Sequence, residues 1–220
     1  MWLLPICTRL ILGGLLGPQT SAGSRPVEPP EKHAADDKPK SHLESGKTIW
    51  VCRVQKPGEV PQDLVTLLPP EDTFNKGIIP EAIVGVLKRP LKEGEAIEPE
   101  NFVRNKFFND FMHEFIASHG PQLEGLQAEA RRQGEGWVYV VDARTATPEG
   151  KVPPADILGV FEVKAGRLIA QSYKRNQKHV LLSKDGFFRL PPELHEQLRK
   201  ELTVRNSKPR KGGDRERDKK

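Results

Sequence analysis

Apolar positions along the chain change rhythm near residue 104. Before it they come in short blocks broken by turns. Residues 49–54 are closed by Lys56-Pro57-Gly58, residues 64–68 are stopped by Pro69-Pro70, and residues 83–87 run into Arg89-Pro90 and the turn Lys92-Glu93-Gly94-Glu95. Short apolar runs bounded by proline and glycine predict strands. A small all-β module over residues 48–104 follows from this pattern.

After residue 104 the period lengthens. Phe102, Phe107, Phe108, Phe111, Met112, Phe115 and Ile116 recur at three- and four-residue steps, predicting an amphipathic helix that Gly120-Pro121 interrupts. A second helical stretch over 123–132 ends at Gly134 and Gly136. Trp137-Val138-Tyr139-Val140-Val141 has the β-branched and aromatic content of a strand. Residues 157–163 and 167–170, joined at Ala165-Gly166, predict one hairpin; residues 180–182 and 187–190, joined at Asp185-Gly186, predict another. Pro191-Pro192 opens a closing helix with Leu194, Leu198 and Leu202 on one face. The expected fold class is α+β, the β-module being followed at 105–204 by an α+β module with antiparallel hairpins and a C-terminal helix.

The two ends read differently. Residues 1–23 combine Arg9, a short apolar run and the small residues Thr20-Ser21-Ala22-Gly23, the order of a cleavable secretory leader. The uncharged run of residues 10–17 is far shorter than the ~20 residues a spanning helix needs, so no membrane span is expected in the mature chain. Residues 24–47 hold Pro26, Pro29, Pro30 and Pro39 among charged and small residues, the composition of a disordered linker. His33 and His42 in it lack companion ligands and read as solvated.

Charge removes one function class. The chain carries a net +5, but residues 205–220 hold eight Lys/Arg against three acids, which is the whole excess; the rest has 27 of each sign. The charge belongs to a basic disordered tail, and no specific nucleic-acid face is expected. Cleavage of the leader would remove Cys7 and leave Cys52 alone in an apolar run, a buried thiol acting as a small hydrophobe.

Segments Gly58-Glu59-Val60-Pro61-Gln62-Asp63-Leu64-Val65 and Gly94-Glu95-Ala96-Ile97-Glu98-Pro99-Glu100-Asn101-Phe102-Val103 share an order of turn glycine, acid and apolar residues, the first being two residues shorter. The second continues Ala82-Ile83-Val84-Gly85-Val86-Leu87-Lys88-Arg89-Pro90-Leu91. Gly85 allows a close backbone approach or a bulge, and Gly94 a turn with positive φ. Residues 49–104 on these motifs resemble the SAF family of β-clip domains, which includes periplasmic Flp-pilus assembly proteins. The resemblance implies a β-clip-like module acting as a scaffold for protein or glycan contact, with Lys92, Glu93 and Glu95 at the exposed turn.

Enzyme motifs are sparse. His113 and His119 lie six residues apart, about 240° around a helix at 100° per residue, so they diverge where a zinc-binding helix needs them on one face. Ser172 and Ser183 near His179 lack a nucleophile elbow, and Gly134-Glu135-Gly136 precedes a strand where a phosphate loop would follow one. No catalytic set, metal or cofactor is expected. The polar run from Ser172 to His179 offers Tyr173, Lys174, Arg175 and His179 as contacts for an anion or glycan. The expectation is an exported protein of the periplasm or extracellular space, with a binding or assembly role toward a protein or glycan of the cell envelope. The alternatives are a secreted hydrolase using His179, Asp142 and Glu162, and a cytosolic protein whose tail contacts nucleic acid.

Overall fold

Four consecutive short strands, the middle two mostly buried, build the first sheet. In the computed structural model, β3 (Lys47–Val54), β4 (Gln62–Thr66), β5 (Ile83–Leu87) and β6 (Phe102–Arg104) pair antiparallel in that order. Two short segments, β1 (Ile6–Thr8) and β2 (Lys40–Glu44), run along the outer edge of β3. The structure describes residues 6–8, 40–44, 47–55, 58–74, 78–144 and 152–208. The leader and linker expected at 1–23 and 24–47 lie outside them apart from those two strands and Lys47. Of the disordered tail expected at 205–220, residues 205–207 are instead the end of a helix, and the rest beyond residue 208 lies outside the described residues.

A short helix, α1 (Pro70–Phe74), fills the gap between β4 and β5, where the double proline predicts only a stop. Asn105 then caps α2 (Lys106–His119), its side chain accepting from Phe107 N at 3.1 Å. The phenylalanine periodicity is realised there: Phe108, Phe111, Met112, Phe115 and Ile116 are buried, and Phe107 faces out at 63% exposure. Helix α3 (Glu124–Gln133) ends on Gly134 at φ 75°.

The second sheet has β7 (Gly136–Val141) against β8 (Ile157–Lys164), with β9 (Arg167–Leu168) and β10 (Lys174–Arg175) on the far edge of β8. Ala165 and Gly166, at φ 48° and 71°, make the β8–β9 turn. The last hairpin is β11 (Leu182–Ser183) with β12 (Gly186–Phe187). Its turn falls on Lys184-Asp185, one residue before the expected Asp185-Gly186, because Gly186 is itself paired with Ser183. Helix α4 (Pro192–Ser207) closes the chain with Leu194, Leu198 and Leu202 fully buried.

The architecture is thus α+β with antiparallel sheets and a C-terminal helix. One hydrophobic cluster runs through it. Ile49, Val65, Val84 and Leu87 from the expected first module share it with Phe108, Ile116, Val140, Phe161 and Leu198 from the second. Asn206 fastens the end of α4 to the α1–β5 connection, accepting from Ile79 N at 3.0 Å and donating to Asp72 O.

The structure also repeats itself, but not where the turn glycines suggest. Gly58 and Gly94 both have positive φ, yet a strand follows the first and a 3-10 turn the second. The real repeat is β4–β5–β6 against β7–β8–β10. In each, the first pairing is interrupted by a bulge, between Val65 and Thr66 and between Val140 and Val141. In each, a 3-10 turn opens the middle strand, Pro80–Ala82 and Pro154–Asp156, and a second precedes the last strand, Pro99–Asn101 and Ala170–Ser172. Gly85 faces Arg104, and Gly159 faces Arg175. The sequences agree at Pro80/Pro154, Ile83/Ile157, Gly85/Gly159, Arg104/Arg175 and Asn105/Asn176.

Both glycines are required by what lies over them. A β-carbon on Gly85 would meet the Phe102 ring at 2.3 Å, and one on Gly159 the Tyr173 ring at 2.6 Å. Both asparagines then close their copy in the same way. Asn105 donates to Pro80 O and Ile83 O, both at 2.7 Å; Asn176 donates to Pro154 O at 2.6 Å and Ile157 O at 2.7 Å.

Candidate functional site

The two copies end on a common pocket of about 230 Å³. Arg104 at the end of β6 and Arg175 at the end of β10 reach it from equivalent positions. Helix α2 adds Lys106, Asn109, Asp110 and His113, spaced three and four apart so that they form one stripe. Asn176, Gln177 and His179 complete the lining. Asn176 sets the path of that segment: its side chain accepts from Lys178 N at 3.0 Å, and its carbonyl from His179 N at 3.3 Å.

Two buried imidazoles, His113 and His179, stand edge to face with ring centroids 6.4 Å apart. His113 Nδ1 meets the Tyr173 hydroxyl at 2.9 Å. Burial first, then the proximity of His179, Arg175 and Arg104, lower the His113 pKa to about 4, against an opposing pull from Asp110. His113 is therefore neutral at pH 7. Burial also pushes the Tyr173 hydroxyl well above its ordinary value, so it keeps its proton.

His179 is anchored by a buried charge cluster. Its Nε2 lies 2.9 Å from Asp142 Oδ2, and Arg144 Nη2 lies 2.8 Å from the same oxygen. Asp142 Oδ1 accepts from Arg144 N at 3.1 Å and Arg189 N at 2.7 Å. The carboxylate thereby takes three hydrogen bonds, with the Arg144 charge beside them. Arg144 also donates to Gly186 O at 3.1 Å and Val180 O at 2.5 Å, tying both ends of the last hairpin to β7. Its Nε approaches Asp156 Oδ1 at 3.3 Å, a charge contact whose alignment is too poor for a hydrogen bond.

The rim is cationic. Arg104, Lys106 and Arg175 stand against Asp110, three positive groups to one negative. Asp110 pairs with Lys106 and, at 2.8 Å, with Arg175. Those contacts, the Lys106 hydrogen bond foremost, hold its carboxyl below the ordinary range.

Of the contacts expected in the 172–179 run, Arg175 and His179 line the pocket, and Tyr173 stands behind it, touching His113. Lys174 points elsewhere, its Nζ 4.5 Å from the centre of the Trp137 ring. His179, offered by that polar run as a contact, is only 2% exposed, because its hydrogen bond to the buried Asp142 holds it inward. Lys92, Glu93 and Glu95 lie on a separate turn with Gly94 at φ 75°. There Glu95 binds Arg89, which with Lys92 N lowers its pKa to about 2. Of the hydrolase set, His179 and Asp142 meet, but Glu162 pairs with Lys164 at 2.8 Å.

His113 and His119 diverge as their spacing requires; His119 stacks on Phe115 with centroids 4.0 Å apart. Among the described residues no group of three or more His, Cys, Asp and Glu could hold a metal, and no helix is long and apolar enough to cross a membrane. Sequence reasoning missed Arg104, Lys106, Asn109 and Asp110. The signal for Arg104 was present: Phe-Val-Arg-Asn at 102–105 and Tyr-Lys-Arg-Asn at 173–176 end the two copies alike. No protein-family model, curated protein or solved structure matches the chain.

Proposed function

We propose that this chain is an exported binding protein of the cell envelope that holds an anionic group of its partner in the pocket between α2 and residues 173–179. The observation that carries the reading is the convergence of Arg104 and Arg175, from equivalent positions of the two copies, on a pocket walled by two buried histidines. Guanidinium groups suit oxyanions because their N–H groups match the spacing of paired oxygens. The pocket admits a single charged group, so the remainder of a larger partner would lie outside it. The leader expected at residues 1–23 supports the envelope setting. The SAF resemblance supports a scaffold role for residues 49–104, and the turn at Lys92, Glu93 and Glu95 offers a second contact.

Titration of the full chain with inorganic phosphate, followed through the imidazole resonances of His113 and His179, tests the reading. Saturable shifts at both rings are expected, and Arg175→Gln should weaken binding on the order of tenfold, as loss of a charge-assisted hydrogen bond does. Rings indifferent to phosphate, sulfate and acetate alike would remove it.

One observation favours a second reading, a hydrolase: the His179–Asp142 hydrogen bond has the form of an oriented general base. Turnover of ester or phosphoester substrates, abolished in a folded His179 variant, would support it over binding alone.

A further inference from the structure

His179 commits one ring nitrogen to the protein and leaves the other without a partner. Nε2 faces Asp142 Oδ2 at 2.9 Å, and a carboxylate oxygen only accepts, so Nε2 carries the proton. Arg144 Nη2 donates to Val180 O and stands 3.4 Å from the same nitrogen, but the carboxylate is the nearer partner of Nε2, and a bare lone pair facing it at 2.9 Å would be repelled. In the neutral ring, Nδ1 is then a bare lone pair. That atom is buried and has no hydrogen-bond partner, on a residue that lines the pocket and is 2% exposed.

The pocket thus combines two demands. Its rim cations favour a negative ligand, while its buried acceptor is satisfied only by a donor. Sulfate answers the first and not the second, since all four of its oxygens are unprotonated at neutral pH. Hydrogenphosphate answers both, as does a phosphate monoester taken up as its monoanion. We propose that the pocket selects a proton-bearing phosphate over a protonless oxyanion, with His179 Nδ1 accepting the ligand's proton in a hydrogen bond and Arg104 and Arg175 holding its charged oxygens. No proton is transferred; the ligand keeps its own. The selection rests on the anion-binding reading above, and sharpens it to one ligand chemistry.

Calorimetric titration of the full chain at pH 7 with inorganic phosphate, glycerol phosphate and sulfate separates the two ideas. Phosphate or glycerol phosphate is expected to bind at least about tenfold more tightly than sulfate, the scale of one buried acceptor left unmet. The tighter of the two identifies the source, a free ion or a phosphorylated partner. Because the monoester is mostly dianionic at this pH, its binding should take up a proton, read from the dependence of the heat on buffer. Equal affinity for sulfate would overturn the selection and leave the anion site standing; no binding of any of the three would remove both. A second readout needs no ligand. The nitrogen-15 shifts of His179 at pH 7 should show a protonated Nε2 and a bare Nδ1, and a ring protonated at Nδ1 would overturn the inference.

Discussion

Gly159 and Tyr173 share one volume: the tyrosine ring lies against bare backbone at the place where any other residue would carry its β-carbon, 2.6 Å from the ring. The contact fixes Tyr173, whose hydroxyl meets His113 at 2.9 Å, so a missing side chain on β8 orients a histidine on α2. Gly159→Ala should displace the ring and cost about 1–3 kcal/mol, the range for overpacking a filled core. Gly125, on α3 with open space around it, is the control. Gly125→Ala should leave stability equal or higher, by up to about 1 kcal/mol, through helix propensity. Urea denaturation of both variants checks the pair, and a harmless alanine at 159 would refute the account of the ring.

Asp142 is buried with Arg144 and His179 around it, so removing its carboxylate strands a buried guanidinium. Asp142→Ala should destabilise the fold by about 3–5 kcal/mol, as breaking one side of a buried ion pair does. Glu162→Ala, which cuts the surface pair with Lys164, should barely move the denaturation midpoint. Equal effects from the two variants would contradict the cluster's structural role.

His113 makes stability depend on pH in a definite direction. Its folded pKa is about 4, below the ordinary value of 6.5, so between these values the unfolded chain binds the proton more readily. Stability associated with the neutral ring is complete above about pH 6.5 and is lost as pH falls toward 4, on the order of 3 kcal/mol in all. His113→Gln should flatten the midpoint-against-pH curve across that window. Curves that stay parallel would show that His113 does not set it.

Gly94 has φ 75° and nothing within 4 Å of its would-be β-carbon, so a substitution meets backbone strain alone. Gly94→Val should cost about 1–2 kcal/mol by forcing a branched residue into the left-handed region. Gly94→Asn should cost less, since asparagine tolerates that region. An unchanged thermal midpoint for the valine variant would count against a braced turn.

Expression of the full chain in a bacterial host with an intact export pathway should yield a shorter protein. Amino-terminal sequencing of the exported form should begin just after Ala22 or Gly23, where the small residues follow the apolar run. Recovery from the cytosol with Met1 in place would remove the export reading.

Much of the fold was legible because local periodicity and burial coincide. The phenylalanines of α2, the leucines at 194, 198 and 202, and the apolar run of β5 each occupy the face their spacing predicts. The hairpin at 182–187 slipped by a residue because Gly186 has φ 96° within a paired position, which the sequence cannot distinguish from a turn glycine. The site was legible only in part. Tyr173, Arg175 and His179 are close in sequence, whereas the α2 stripe reaches them through tertiary packing. Nothing in the polar run around His179 marks it for burial, since its neighbours Lys178 and Val180 are exposed and its own burial depends on Asp142, 37 residues away.

The twofold repeat has one further consequence. Phe102 and Tyr173 sit at the same point of their copies, each ring laid over its glycine, and they differ by a single oxygen atom. Only the second copy can address a histidine from that point. A backbone that says the same thing twice is given a working side and a supporting side by one hydroxyl, and Tyr173→Phe would make the two copies interchangeable there without disturbing the scaffold of either.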